Sequence, residues 1–194
     1  NSVFNIGNNP LHKAGKIQIE STSFTISEPT KDYTIEPLIY TLANDSQKLL
    51  LKEKFDVKPF NIKIVSLERM FIDKIFAIEY YFIRKRYMDT AKHLYDITIL
   101  LENEVIKNLF KNDLELNNII KCSRDEQKVR KGGIDERIKI TDFSYFKLNF
   151  DKELLDTFNT MQFKYILNDK YKISIETVEN ALKIVYNIFK DKNL

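Results

Sequence analysis

The sequence predicts an α+β fold in which short strands come first and helices follow. Residues 16–65 alternate apolar and polar side chains in short stretches, which Pro29, Pro37 and Pro59 interrupt. From Ser66 onward, apolar residues recur at the three- and four-residue spacing of an amphipathic helix. The 194 residues include only four glycines and four prolines, so long helices can continue without interruption.

Composition narrows the class of protein. Apolar residues make up 43% of the chain and charged residues 30%, which is the balance of one globular unit or two small ones. The net charge of +3 is too small to indicate nucleic-acid binding by itself, so any basic site must be local. Cys122 is the single cysteine and there are two histidines, which excludes an internal disulfide and a Cys/His zinc cluster.

The same features predict where the protein works. A lone cysteine fits a reducing cytosol, and no apolar run approaches the roughly 20 residues of a membrane span. The start NSVFNIGNNP lacks the charged-then-apolar order of a signal peptide. We therefore expect a soluble cytoplasmic protein. Because this start also lacks an initiator Met, we expect the chain to be the remainder of a longer polypeptide.

The first elements are predicted from period and capping. Alternation predicts strands at residues 17–20, 24–26 and 62–65. Helical spacing predicts a helix at 67–83, with Ser66 capping its first free amides. The basic run Arg84-Lys85-Arg86 follows this helix.

The later elements are mostly helical. A largely buried helix is predicted at 90–102, and a third helical pattern runs from Val105 to Cys122. The polar segment 123–137, with the pair Gly132-Gly133, is typical of a loop or hinge. An aromatic-rich stretch of mixed period follows at 143–150, and an amphipathic helix introduced by Ser174 is predicted at 175–190.

Lys74 is the most informative residue of the first predicted helix. Its spacing from Leu67, Phe71 and Ile78 places it inside the apolar stripe of that helix. An ammonium group in such a position costs several kcal/mol unless it reaches solvent or meets an anion. Lys74 is therefore either a solvent-reaching or ion-paired structural lysine, or a ligand for a carboxylate or a phosphate.

Asp96 poses the same question on the next helix. It lies among apolar residues, with Lys92 four positions earlier and His93 three positions earlier. A pair with Lys92 would be worth only a few tenths of a kcal/mol on an exposed face. The alternatives are a carboxylate that positions a metal-bound substrate, or one that pairs with Lys74 across two packed helices.

Two stretches together resemble a known family. SLERMFIDKIFA at 66–77 and KHLYDI at 92–97 resemble the third and fourth motifs of the AbiEii/AbiGii nucleotidyltransferase toxin family of abortive-infection toxin–antitoxin systems. The family pairs a helix carrying Glu and Lys-x-x-Ala with a later helix ending in Asp, and here Lys74 and Asp96 lie 22 positions apart. KIQIE at 16–20, RKGG at 130–133 and DFSYF at 142–146 resemble further family segments.

Two departures qualify the resemblance. The family's Arg-Asp is Lys92-His93 here, although the terminal Asp96 is kept. The family's first motif, a Gly-Gly/Ser turn followed by Asp-x-Asp, does not occur in these 194 residues. Polymerase-type phosphoryl transfer needs such carboxylates to hold metal ions, and Glu20 alone cannot replace them. We therefore expect the motif upstream of Lys16 in the complete gene product, and expect this chain to be inactive alone.

The resemblance implies roles for individual residues. The parent activity would be transfer of a nucleotide from an NTP to an acceptor, which in some relatives is a tRNA end. Lys74 would neutralise triphosphate charge and Asp96 would orient Lys74 or assist the nucleophile. Glu20 would be a metal ligand, with Mg²⁺ the cofactor of the complete enzyme and no metal bound to this fragment. The remaining candidate substrate-binding residues are basic: Arg84, Lys85, Arg86 and Lys92. The alternative for the first three is a solvated turn.

These expectations divide the chain into three parts. Residues 1–65 would be the β-rich remainder of a nucleotidyltransferase sheet, 66–122 the helices with the Lys and Asp motifs, and 123–194 a helical C-terminal region. The leading function is the C-terminal portion of a nucleotidyltransferase toxin. The competing function is a non-enzymatic helical module that binds RNA or a cognate antitoxin.

Overall fold

A computed structural model describes residues 28–194 of the chain. Its elements up to Val65 form an arm (residues 28–65), and the remaining elements form a body (residues 66–194). The arm contains β1 Thr30–Ile35, α1 Leu38–Leu42, α2 Asp45–Phe55 and β2 Phe60–Val65. The body contains α3 Leu67–Phe82, α4 Tyr87–Leu100, α5 Glu104–Leu109, α6 Asp113–Val129, α7 Lys152–Tyr165 and α8 Ile175–Asp191, with 3₁₀ turns at Ile140–Asp142, Ser144–Lys147 and Asp169–Tyr171. The α+β prediction is confirmed.

The sheet of the arm has two antiparallel strands. Thr30 pairs with Val65 at one end of the ladder and Ile35 with Phe60 at the other. The predicted strand at 62–65 is thus part of β2, whereas those at 17–20 and 24–26 lie outside the described residues. The described arm has no buried residue.

Two helices connect these strands where the sequence predicted only strands. α2 begins with a capping box, in which the Asn44 side chain accepts from the Gln47 amide and the Gln47 side chain accepts from the Asn44 amide. It ends at Asp56, whose φ of 52° is left-handed. Residues 45–55 do not alternate apolar and polar side chains. The helix caps therefore decide the structure of this segment.

The predicted helix at 67–83 is confirmed as α3. Ser66 caps it by accepting a hydrogen bond from the Arg69 amide at 3.2 Å. Its buried face packs against α4, α5 and α6. Phe76 meets Phe143 edge-to-face with ring centroids 5.4 Å apart, which links α3 to the turns after α6. α3 is therefore the central helix of the body.

The predicted hinge at 123–137 is wrong in its first half, because α6 continues to Val129. The stretch is rich in charged residues, which gave no indication that its inner face is buried at Ser123 and Gln127. Gln127 accepts a hydrogen bond from the Ile134 amide at 3.1 Å, which folds the following turn back onto the helix. Gly132 lies in that turn with φ of 69°, and a Cβ there would lie 2.8 Å from the Arg84 guanidinium.

The C-terminal region adds one helix that the sequence did not predict and one that it did. α7 is capped by Asp151, which accepts from the Leu154 amide at 2.9 Å, and it buries Leu154, Phe158 and Met161. α8 confirms the prediction at 175–190, with Ser174 accepting from the Thr177 amide at 3.1 Å. The stretch at 143–150 contains a 3₁₀ turn at Ser144–Lys147, which explains its mixed period. No helix in residues 28–194 combines the length and apolar character needed to span a membrane.

Candidate functional site

Lys74 and Asp96 meet across the packed pair α3 and α4. The Lys74 Nζ lies 2.5 Å from the Asp96 Oδ2, which confirms that the two side chains are within salt-bridge reach. Both reach solvent, because 19% of the Lys74 side chain and 38% of the Asp96 side chain are exposed. Lys74 lies at the edge of the apolar stripe rather than inside it, since Met70, one turn earlier, is exposed. The pair is thus an ion pair open to a ligand.

His93 is a third member of this site, and sequence reasoning did not single it out. Its Nδ1 lies 3.9 Å from the Asp96 Oδ2, and its ring stacks on Tyr81 with centroids 5.6 Å apart. Burial, and then the charge of Lys74, lowers the pKa of His93 to about 4. The imidazole is therefore neutral at physiological pH. The buried Nδ1 has no hydrogen-bond partner among the described residues.

The three basic residues after α3 have different surroundings. Arg84 is held by backbone, donating to the Tyr80 carbonyl at 2.7 Å and to the Gly132 carbonyl. Arg86 pairs with Asp89 at 2.6 Å, and Lys85 is exposed with a left-handed φ of 53°. Arg84 is thus a structural residue of the turn, and only the other two remain open to a ligand.

Arg130 returns from the turn after α6 to the end of α3. Its guanidinium carbon lies 3.6 Å from the centroid of the Tyr80 ring, and that of Arg84 lies 3.8 Å from the same centroid. Two cations at this distance must occupy opposite faces of the ring, because they would clash on one face. The segment RKGG at 130–133 is therefore packed against α3, through cation–π contacts that sequence spacing did not reveal.

Lys92 contacts a different part of the body. Its Nζ lies 3.8 Å from Asp89 and 5.1 Å from the centroid of the Tyr165 ring at the end of α7. Asp96 therefore pairs with Lys74, whereas Lys92 lies near Asp89. Lys92 connects the Asp96 face of α4 to the end of α7.

A buried cation joins the arm to the body. Arg69 is completely buried and donates through Nε to the Asp73 Oδ1 at 2.8 Å, while its Nη2 lies 2.6 Å from the Glu126 Oε1. Its Nη1 donates to the Glu28 carbonyl, and Ser123 donates to the Asp73 Oδ1 at 2.7 Å. A second ion pair, between Lys31 and the buried Glu68, joins β1 to the start of α3. We call these contacts between arm and body the joint. The motif SLERMFIDKIFA therefore contains Lys74 of the candidate site as well as Glu68 and Arg69 of the joint.

The described residues do not fit Mg²⁺. In residues 28–194 no group of three or more His, Cys, Asp or Glu side chains is arranged to hold a metal ion. Asp96 is the single carboxylate of the pair, and its charge is already met by Lys74. Glu20, the candidate metal ligand, lies outside the described residues.

The fold and this site define a helical body with a partly exposed Lys–Asp pair on adjacent helices. A family model described as nucleotidyl transferase AbiEii toxin, type IV toxin–antitoxin system, matches residues 4–182. The chain therefore belongs to the AbiEii nucleotidyltransferase toxin family. No curated protein and no solved structure matches the chain. The family implies that a cognate antitoxin is part of the system.

Proposed function

We propose that the Lys74–Asp96 pair is part of a site that transfers a nucleotide from an NTP to an acceptor. The observation that carries the proposal is the 2.5 Å ion pair at a partly exposed position between α3 and α4. Lys74 would neutralise charge on the triphosphate, while Asp96 holds the ammonium in place or assists the nucleophile. Membership of the family supports the reaction class. The acceptor, for which tRNA is the candidate, and the cytoplasmic location belong to the same proposal.

The surrounding residues support an anionic ligand. Lys85 and Arg86 are exposed at the end of α3, and Lys92 lies on α4 one turn before Asp96. Because His93 is neutral, Lys74 is the cation that contacts Asp96. Of the four basic candidates, Lys85, Arg86 and Lys92 remain in the proposed substrate-binding set, and Arg84 is assigned to the turn.

Binding of nucleoside triphosphates tests the proposal directly. Calorimetric titration with each of the four NTPs is expected to detect binding that Lys74→Met weakens by about tenfold or more, because one charge-assisted phosphate contact is lost. Lys183→Met on α8 is the matched control, since Lys183 is also an exposed helical lysine. Equal binding by the Lys74 variant and the wild type would contradict the assignment.

Transfer itself is expected to be absent from this chain on its own. The 194 residues contain no Asp-x-Asp pair, and metal-dependent phosphoryl transfer requires such carboxylates. We propose that the complete enzyme uses Mg²⁺ and that Glu20 is one candidate ligand. Labelled NTP, Mg²⁺ and total tRNA incubated with the chain should give no product above background. Robust transfer would show that the catalytic carboxylates lie among the residues present here.

A second candidate function is a non-enzymatic module that binds RNA or the cognate antitoxin. Exposed aromatic residues beside lysines at the end of α7 favour RNA as the ligand of such a module. The two functions differ in the role of Lys74. RNA binding without any Lys74-dependent NTP binding would favour the module.

A further inference from the structure

A group of aromatic and basic side chains lies at the end of α7 and in the segment that follows it. We call residues 163–172 the platform. Phe163 is 80% exposed and Leu167 is 90% exposed, while Tyr165 and Tyr171 are exposed to a smaller extent. Exposed apolar patches that are contiguous and rimmed by polar residues can mark interaction sites. None of these residues belongs to the Lys74–Asp96 pair.

The platform is basic as well as aromatic. Lys172 lies 5.9 Å from the centroid of the Phe163 ring, Lys170 lies 4.6 Å from that of Tyr171, and Lys92 lies 5.1 Å from that of Tyr165. Asp169 is the acidic residue of residues 163–172, and it is paired with Lys172 at 2.6 Å. The surface therefore presents aromatic rings with cations beside them, which is complementary to bases joined by phosphates.

Two contacts hold the platform in place. The buried Gln162 donates to the Ile173 carbonyl at 3.0 Å and accepts from the Ile173 amide at 2.8 Å, which closes the segment between them into a loop. The Tyr95 hydroxyl on α4 donates to the Tyr171 carbonyl at 2.8 Å. The rings are thus presented by a fixed loop, and binding a ligand would cost little ordering of the backbone.

The platform is adjacent to the proposed transfer site. Tyr95 precedes Asp96 in the chain, and Lys92 lies one turn earlier on α4, roughly 6 Å along the helix axis. Both of these residues contact the platform, whereas Asp96 contacts Lys74. The platform and the Lys74–Asp96 pair are therefore connected through one turn of α4.

We propose that the platform binds a single-stranded RNA segment by stacking its bases on Phe163 and Tyr171, with the neighbouring lysines on its phosphates. This inference rests on the proposed nucleotidyl transfer, because the bound segment would be the acceptor. Stacking on an aromatic ring requires an unpaired base. The proposed acceptor class is thus an RNA with an unpaired end, rather than a duplex.

Fluorescence anisotropy with labelled oligo(A) tests the proposal without NTP or Mg²⁺. The wild-type chain should bind the single strand more tightly than a blunt RNA duplex of the same length. Phe163→Ala and Tyr171→Ala should each weaken binding by about 5- to 100-fold, because each removes one stacking contact. Phe55→Ala is the matched control, since Phe55 on α2 is 66% exposed and also has lysines near it in sequence. Its affinity for oligo(A) should equal that of the wild type.

Several results would overturn the inference. These are wild-type affinity in both platform variants, equal affinity for the duplex, or no binding of oligo(A) even at about 50 mM salt. Self-association that Phe163→Ala abolishes, with no binding of RNA, would assign the platform to a protein contact instead. Lys183→Met is expected to leave oligo(A) binding unchanged, because Lys183 on α8 lies outside the platform. Failure of the wild-type chain to bind oligo(A) would refute this inference alone. NTP binding that does not depend on Lys74 would refute the proposed function.

Discussion

The arm and the body contrast sharply in what they do with apolar side chains. The body buries Phe71, Ile75 and their neighbours in one continuous core. The arm exposes Leu38, Leu42 and Phe55 on its helices, and its strands expose apolar side chains as well. The difference shows that apolar content alone does not make a core. A helix or a sheet must pack against a second layer, and within the described residues only the body has one.

The strands of the arm illustrate the same point. A two-stranded sheet is marginally stable in water unless its apolar face packs against something else. β1 and β2 pair with each other, and the arm is tied to the body near its base by Arg69, by the pair of Lys31 with Glu68, and by the Ser66 amide donating to the Pro29 carbonyl at 2.9 Å. The arm therefore depends on its base for attachment, whereas the body is stabilised throughout by burial.

Truncating one phenylalanine in each region should separate them most clearly. Phe76→Ala should lower the free energy of unfolding by about 3–5 kcal/mol, because it empties a buried site between α3 and Phe143. Phe55→Ala should change it by about 0.5 kcal/mol or less, since its ring already faces solvent. Urea denaturation measures both values. Similar losses for the two variants would mean that the arm also has a packed core.

Removing the cation at the joint should have a comparable but slightly smaller effect. Arg69→Met leaves Asp73 and Glu126 without the guanidinium that they face, and should cost about 3–4 kcal/mol. Arg137→Met is the matched control, because Arg137 is an exposed arginine paired with Asp135. It should leave the unfolding transition close to that of the wild type, because an exposed ion pair is screened by solvent. Calorimetric unfolding of both variants checks this, and an equal cost would mean that the joint contributes little.

The partly buried imidazole of His93 should make the stability of the body depend on pH. The pKa of His93 is about 4 in the folded chain and near 6.5 when unfolded. Below about pH 6.5 the unfolded chain binds a proton that the folded chain does not, so stability falls as the pH falls. His93 should therefore lower the free energy of unfolding by about 2 kcal/mol when the pH falls from 7 to 5.

The variant His93→Gln isolates this contribution, because glutamine does not titrate in this range. Urea denaturation at pH 7 and pH 5 should show a smaller loss for the variant than for the wild type. The arm has no histidine, so it supplies no comparable contribution. Equal losses in both proteins would mean that His93 is solvated enough to keep its ordinary pKa.

Within the body, a smaller effect is expected at the candidate site itself. Lys74→Met should lower the free energy of unfolding by about 1 kcal/mol or less, because the Asp96 that it leaves behind reaches solvent. The same variant should lose affinity for NTP, so stability and function would diverge. A fully buried structural pair would instead cost about 3–5 kcal/mol. A double-mutant cycle with Asp96→Asn distinguishes the two, since a large loss rescued by the second substitution would leave only a structural ion pair.

An element could be predicted from the sequence where its capping residues and its apolar period lie within its own segment. α3, the strand at 62–65 and α8 were predictable, because capping residues and apolar period lie within each segment. α2 and α7 were not predicted as individual helices, although Asn44 and Asp151 cap them and Leu154, Phe158 and Met161 recur at helical spacing in α7. The end of α6 was wrongly predicted as a loop, because the contact of Ser123 with Asp73 joins residues that are distant in the chain.

The sequence by itself determined the α+β class, the caps of α3 and α8, and the pairing of motifs that carries Lys74 and Asp96. These properties depend on spacing along the chain and on the chemistry of single residues. Only the tertiary structure decided that Lys74 meets Asp96 rather than leaving it to Lys92, that His93 is partly buried beside them, and that Arg84 belongs to a turn. Such choices depend on which helices pack together, because a side chain's charge partner and its exposure are set by neighbours that are far apart in sequence.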